Sequence, residues 1–477
     1  MITSQLRAIA MFNLNRCGPS IYALGVLVSF SGSNVLAESP GLARSSWPRF
    51  LNATMDGVAM LSPDAPASIA DLDWSESPSM RWSLELGDGY GIGVVSDAHY
   101  FHFDAIAGRQ RLRKVDVETG REIWSASKPL QYRDLYGYET GPRCCPAISG
   151  DRIVTYGVDG ELTCRSCIDG TEHWSIDTNA TYGVVQNFFG VGSSPLIVDD
   201  LVLVMVGGSP IESQSVAPGQ INRVAPNGSL MLAFSLDDGS ERWRSGDDLA
   251  SYSSPRTMQV GERTLVVVFA RDHLHLMDPA DGRILARVYH RAEILESVNA
   301  MVPVVVGRQI FISDCYDLGA ALFEVTLRDN EADLVPIWRD PPGDRRSQAM
   351  RSHLSTPIVV DDALFGCSGR NAPDSDFRCI DFRTGRVRWT ALERGRSTAT
   401  RLGDVLLILK ESGILHVAEA SSAAYRELGV WNLRERDGER PGLAFPCWSA
   451  PVVVGNQVLI RGDSKLVSLA LPGLTQP

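Results

Sequence analysis

The chain lacks a basic block. Its 45 Lys and Arg face 57 Asp and Glu, for a net charge of −12, and the cations are scattered. Binding to a phosphate backbone needs clustered Lys and Arg, so nucleic acid is excluded as a partner. Long apolar runs are missing too. Beyond residue 37 no stretch of 18 apolar residues occurs, whereas a bilayer span needs about 20. Cysteine is sparse, nine in 477 residues at 17, 144, 145, 164, 167, 315, 367, 379 and 447. Small domains stapled by disulfides are far denser, and spacing alone fixes no pairing. No pair of carboxylates shares a supporting context, which places a carbohydrate-active or hydrolytic function last. With 44% apolar and 21% charged residues, disorder, collagen and coiled coil are excluded as well.

What is present begins with an export signal. Residues 1–37 carry Arg7 and Arg16 and no acid, and an apolar stretch runs from Ile21 to about Phe30. Val35 and Ala37 form the small-residue pattern of cleavage after Ala37. Met1 and Met11 both stand as starts, and Cys17 precedes the apolar run, so no lipobox is formed. An exported protein with a periplasmic or otherwise extracytoplasmic address is expected.

Two independent periods give the architecture. Gly-x-x-x-Trp steps end at Trp124, Trp174, Trp243 and Trp389, with Ala286 in a degenerate copy and Trp82, Trp338 and Trp431 in weaker ones. Successive spacings from Trp82 are 42, 50, 69, 43, 52, 51 and 42. A small residue followed by Pro and an apolar run recurs at Pro146, Pro195, Pro255, Pro303, Pro357 and Pro451, with spacings of 49, 60, 48, 54 and 94. The last equals two steps, and Ala399 fills the gap. Both marks count the same units.

Each unit reads as four short strands. Asp-Gly and Thr-Gly supply the positive φ that tight hairpins require. Proline at a strand start suits an edge, here an innermost strand facing a central channel. Radial repetition of such units is a β-propeller. The final unit (452–470) lacks its Trp strand, and the first Trp strand, around Trp82, precedes any opening strand. The two halves should meet and close the ring. The expected fold is all-β: an eight-bladed propeller over 80–472, behind a signal (1–37) and a lead-in (38–79). Seven blades is the alternative, should the unit at 396–431 be incomplete.

The DxxTGxxxW step resembles the signature of pyrroloquinoline-quinone-like propeller repeats, and WPRFLNATMDGV from Trp47 resembles the lead-in of exported bacterial members. That family holds both quinoprotein dehydrogenases and non-enzymatic envelope scaffolds, such as the propeller lipoprotein of outer-membrane assembly. Fold alone does not choose between them.

The repeated residues should be structural. Each Trp should dock one blade on the next, burying on the order of 200 Å². Cys164 and Cys379 both stand six residues before a motif Gly, where a third repeat has Ala233, and are expected to be buried fillers. Residues three apart on a strand face opposite ways, so Cys164 and Cys167 should not share a metal.

Function should sit where the opening strands converge. The segments leading into them concentrate aromatic and polar residues: DGYGIG (88–93), YETGPRCCP (138–146), VVQNFFGVGSSP (184–195), LASYSSP (249–255), ILESVNAMVP (294–303), MRSHLSTP (350–357), RGRSTAT (394–400) and FPCWSAP (445–451). Arg143, Glu296, Asn299, Arg351 and His353 offer both charge signs around one axis, and Asn187 lies in the Gly- and aromatic-rich third segment. Tyr90, Phe188, Phe189, Tyr252 and Trp448 are candidate stacking walls. Loops 209–229 and 339–353 are long and read equally as lids or solvated insertions. The expected function is a non-enzymatic envelope binding or scaffold propeller holding a protein partner or small ligand at this axial face. The resemblance implies the alternative, a periplasmic quinoprotein dehydrogenase using pyrroloquinoline quinone and Ca²⁺. Cys144 and Cys145 would then contact the quinone as a vicinal disulfide, and Glu296 and Asn299 would ligate calcium.

Overall fold

A computed structural model describes residues 46–474, apart from 77, 330, 392–394 and 435–441. All lie in the second of two units of the chain, residues 39–477. The expected signal and Cys17 lie outside the described residues, as does Arg394 of the seventh leading segment.

Eight sheets form eight blades, seven of them built from the inner to the outer strand in chain order. Blades one to seven open with Val94–Ser96, Ala147–Ser149, Leu196–Val198, Arg256–Val260, Val304–Val306, Ile358–Val360 and Ser397–Leu402. Six of the inner strands begin one residue after a marker proline. Blade eight is assembled from both ends: Val452–Val454, Gln457–Arg461 and Lys465–Ala470 pair with Met80–Glu85 as the outer strand. The register runs from Met80 opposite Leu469 to Glu85 opposite Lys465. The eight-bladed count and the closure through Trp82 are therefore observed, and the unit at 396–431 is a complete blade.

The DxxTGxxxW step folds as a carboxylate-capped turn. Asp116 accepts hydrogen bonds from the Thr119 backbone N–H (2.9 Å) and hydroxyl (2.7 Å), and the Gly120 N–H closes back on the Asp116 carbonyl at 2.9 Å. Asp381, Thr384 and Gly385 repeat this geometry in blade six. Gly120 has φ +71°, and a Cβ on it would meet the Trp82 ring at 2.8 Å. Glycine is needed there for its conformation and for close approach. Trp82, Trp124, Trp174, Trp243 and Trp338 thus seat on the Gly turn of the next blade, and all but Trp124 donate the indole N–H to a carbonyl of that blade. Examples are Trp82 to Val117 (2.9 Å), Trp174 to Leu236 (2.9 Å) and Trp338 to Phe382 (3.1 Å).

Blade four has Ala286 where Trp would stand, and blade five has no such turn. Instead blade five extends its outer hairpin, Gly319–Arg328 and Glu331–Arg339, which packs directly on the outer strand of blade four. Cys164 lies opposite Trp174, Cys379 opposite Trp389 and Ala233 opposite Trp243. Both cysteines are fully buried, as expected of fillers. Cys164 and Cys167 join different core clusters, in keeping with strand parity.

The lead-in crosses the channel. Trp47 pairs with Val95, the Ile148 N–H donates to Pro48 (2.8 Å), Arg256 donates to the Thr54 carbonyl (3.3 Å), and the Arg401 N–H donates to Gly57 (2.9 Å). Val58–Ala59 then adds in parallel to Arg401–Leu402. In blade seven Ala399 stands in place of a marker proline, and the inner edge of that blade pairs with a fifth strand. Leu51, Asn52 and Met55 hold left-handed φ values of 60°, 76° and 55°. Such positions cost about 1–3 kcal/mol each. Here Asn52 Nδ2 donates to the Val58 carbonyl (2.6 Å) and Asp56 accepts from the Val58 N–H (3.0 Å).

Candidate functional site

The eight leading segments surround a cavity of about 570 Å³. Every blade contributes, from Tyr90 and Ile92 in blade one to Trp448 and Ser449 before blade eight, and the lead-in adds Phe50 and Leu51. The volume falls within the range of small-ligand sites, about 300–1,000 Å³.

Of the residues singled out from sequence, Arg143, Cys145, Glu296, His353 and Trp448 line it. So do Tyr90, Phe188, Phe189 and Tyr252. Cys144, Asn187, Asn299 and Arg351 do not. The Cys144 thiol points between blades, 3.1 Å from the Ser193 carbonyl. Asn187 lines a smaller neighbouring cleft. Asn299 is buried, and its amide donates to the carbonyls of Ala270, Arg271 and His290 at 2.9–3.3 Å. Arg351 turns outward into a bidentate pair with Asp374 at 2.8 and 2.9 Å. Backbone carbonyls thus claim Cys144 and Asn299, and the Asp374 carboxylate claims Arg351.

Tyr136, Tyr138, Tyr316, Arg370, Arg396 and Thr398 also line it. The leading segments named from sequence contain Tyr138, Arg396 and Thr398. Tyr316 and Arg370 come from the turns between second and third strands. In an antiparallel blade that turn returns to the face where the first strand begins, so CYDLG (315–319) and RNAPDS (370–375) could have been included by parity.

Aromatics occupy one side. Trp448 lies 4.7 Å from Tyr90 and 6.5 Å from Tyr138, and Phe189 lies 5.6 Å from both Tyr136 and Tyr252. Tyr136, Tyr138 and Phe445 are 56%, 50% and 61% exposed at the rim. Three guanidiniums stack on rings: Arg143 over Tyr90 at 5.4 Å, Arg370 over Tyr316 at 4.9 Å, and Arg396 over Trp448 at 5.2 Å. Desolvated contacts of this kind contribute about 2 kcal/mol or less. Arg143 is also braced by Asp134 at 2.7 Å.

A second cluster was not found from sequence. Asp248 accepts from the Leu249, Asp272 and His273 N–H groups and from both imidazoles, His273 Nδ1 at 3.0 Å and His275 Nε2 at 3.2 Å. His273 and His275 share one face of a strand, and the carboxylate ties them to the segment leading into blade four. Loop 209–229 forms two short 3₁₀ turns, Ile211–Ser215 and Ile221–Arg223. The Gly219 N–H donates to Gln186 (2.9 Å), which places the loop over the third leading segment and outside the cavity lining.

The comparisons with known proteins agree with this geometry. The family model of the outer membrane protein assembly factor BamB matches residues 108–389, more than half of the chain. This chain belongs to that PQQ-like propeller family. BamB of Bordetella pertussis is 23% identical over 310 residues, covering 57% of this chain and 73% of that protein. The structure of BamB from Moraxella catarrhalis superposes with a TM-score of 0.52 at 13% identity, over 84% of this chain and all of that one. Sqt1 of Saccharomyces cerevisiae gives 0.55 at 10% identity, again over 84% of this chain and all of that one. At such identities the two structures speak for the fold alone.

The residues present do not fit a quinone with calcium. Cys144 and Cys145 are free thiols, and only Cys145 faces the cavity. Asn299 is buried and does not line the cavity, which leaves Glu296 there without the second proposed ligand. Burial raises both thiols, Cys144 most strongly and Cys145 to about 12. Cys144 and Cys145 should therefore resist maleimide at neutral pH and label only after unfolding, as read by mass spectrometry. Burial also raises the Cys164, Cys379 and Cys447 thiols to about 12. A thiol held above its unfolded value contributes stability that is complete below that value and is lost as pH rises through the folded one. The melting temperature should thus fall between about pH 9 and pH 12.

Proposed function

We propose that this chain is a non-enzymatic, exported propeller of the bacterial cell envelope that holds a protein partner on the face bearing the axial cavity. Membership of the BamB family supports the envelope role. The observation that carries the docking face is the exposed Tyr136, Tyr138 and Phe445 along one side of the rim of a cavity to which all eight blades contribute. Exposed aromatics beyond the cup are more than a small ligand requires, and they are the residue type that concentrates binding energy at protein interfaces.

A photo-crosslinking residue at Tyr138 tests this in cells. The expected product is a discrete adduct with one envelope-fraction protein. The same residue at Ile168, which is 69% exposed in the Asp/Gly turn at the opposite end of blade two, should give none. Equal products at both positions would overturn the assignment of the face. Tight, Ca²⁺-dependent quinone binding with dye reduction on simple alcohols would overturn the non-enzymatic reading.

A further inference from the structure

The axial cavity has two unlike halves. Blades one to four and blade eight supply the aromatic side. Blades five to seven supply a polar side that includes Glu296, His353, Arg370 and Thr398. Thr398 Oγ1 is buried with no hydrogen-bond partner, and so is Nδ1 of His353. Burial holds the His353 imidazole at a pKa of about 3, reinforced by Arg396 and Arg370, so the ring is neutral at physiological pH. Its Nε2 lies 3.0 Å from the Tyr316 hydroxyl. With the Tyr316 hydroxyl donating to Nε2, the ring proton sits on Nδ1, which has no partner among the described residues. Buried donors of this kind are costly unless something completes them.

Charge points the same way. The chain is acidic, yet among the described residues the cavity lining holds three guanidiniums against the single carboxylate of Glu296. Arg143 is matched by Asp134, and Arg396 by Glu411 at 3.7 Å. Arg370 has no carboxylate partner among the described residues. Its guanidinium lies over Tyr316, the ring that also fixes His353. Arg370, His353 and Thr398 thus line the same side of the cavity, with two unpartnered buried polar atoms, Nδ1 and Oγ1, among them.

We propose that this side is a carboxylate-binding subsite, and that the docked partner presents an acidic side chain beside an aromatic one, the acid meeting Arg370, His353 and Thr398 and the ring stacking against Trp448 and Tyr90. The assignment rests on the reading of this face as a docking face. A protein segment, rather than a free aryl acid, fits because the exposed rim continues the aromatic surface outside the cup.

The probes are acetyl-Glu-Trp-amide, acetyl-Gln-Trp-amide, acetyl-Glu-Ala-amide and indole-3-acetate, titrated calorimetrically into the full protein. The Glu-Trp probe should bind about tenfold more tightly than the Gln-Trp or Glu-Ala probe, the scale of one charge-assisted contact. Arg370→Gln combined with Thr398→Val should erase the preference for Glu over Gln while the protein still unfolds in one cooperative transition. Equal affinity for the Glu and Gln probes, or a preference that survives the double variant, overturns the subsite. Indole-3-acetate binding as tightly as Glu-Trp overturns the protein-segment source. The Tyr138 crosslink separates the two readings. An adduct that persists in the double variant leaves docking intact and removes the subsite from it. Probe binding without any adduct in the parent removes docking instead.

Discussion

Replacing Trp431 by alanine should lower the unfolding free energy by about 3–5 kcal/mol, the usual cost of deleting a large buried aromatic. Trp431 is fully buried, and its indole N–H donates to the carbonyl of Trp74 at 3.2 Å, with the two rings 5.6 Å apart. At the other tryptophan seams described here the ring sits on a turn within the next blade. Blade eight has no such turn, because its third and fourth strands come from opposite ends of the chain. Trp74 supplies the missing surface. Its own indole N–H donates to Ile69 (2.9 Å), and Asp404 of blade seven accepts from the Ile69 and Ala70 N–H groups at 2.8 and 3.0 Å. A Cβ on Gly429 would fall 2.0 Å from the Trp74 carbonyl, so the approach is also sterically fixed. Urea unfolding followed by far-ultraviolet circular dichroism measures the effect. Trp243→Ala, at a partly exposed ring on an intact Gly282 turn, should cost clearly less. Equal losses would mean that the closing seam carries no special load.

This seam also marks the limit of what the sequence reveals. The Trp and Pro periods are local marks, and they disclose eight blades because each blade repeats one local chemistry. The pairing of Trp82 with the C-terminal hairpins is legible too, since two incomplete units leave complementary halves. Trp74 belongs to no repeat, and nothing in its neighbourhood says that it stands in for a turn. The same holds for Phe50 and Leu51 in the cavity lining. The leading segments identify the face, because strand starts must converge on the axis. They do not identify which side chains turn inward. Asn299 and His353 look alike as candidates in sequence, yet one is consumed by three carbonyls and the other leaves Nδ1 unpartnered. That difference is decided by backbone groups from other loops and blades, which have no signature in the chain.

Asp104→Asn should be the other large loss, again about 3–5 kcal/mol, because it strands a buried cation. The Asp104 side chain is fully buried and pairs with Arg111 (2.8 Å) and Arg113 (3.1 Å), the latter's side chain only 5% exposed. It also accepts from the Gly87 N–H at 2.9 Å. Burial by itself would raise this carboxyl, but the Arg111 hydrogen bond, the Gly87 N–H and the Arg113 charge outweigh it, and the group titrates at about 2. A carboxyl held below its unfolded value stabilises the fold above about pH 4, and that contribution is lost as pH falls towards 2. The parent should therefore show a steep acid limb in its urea midpoint, and Asp104→Asn a shallower one displaced to lower stability at neutral pH. An unchanged acid limb would show that the cluster is not what acid disrupts. The cluster also reaches the site. Gly87 precedes Asp88, which pairs with Ala105, and the chain then runs through Tyr90, Gly91 and Ile92 along the cavity wall. Loosening Gly87 should widen the Tyr90–Trp448 contact and weaken the Glu-Trp probe while its preference over the Gln-Trp probe stays, since Arg370, His353 and Thr398 stand on the far blades.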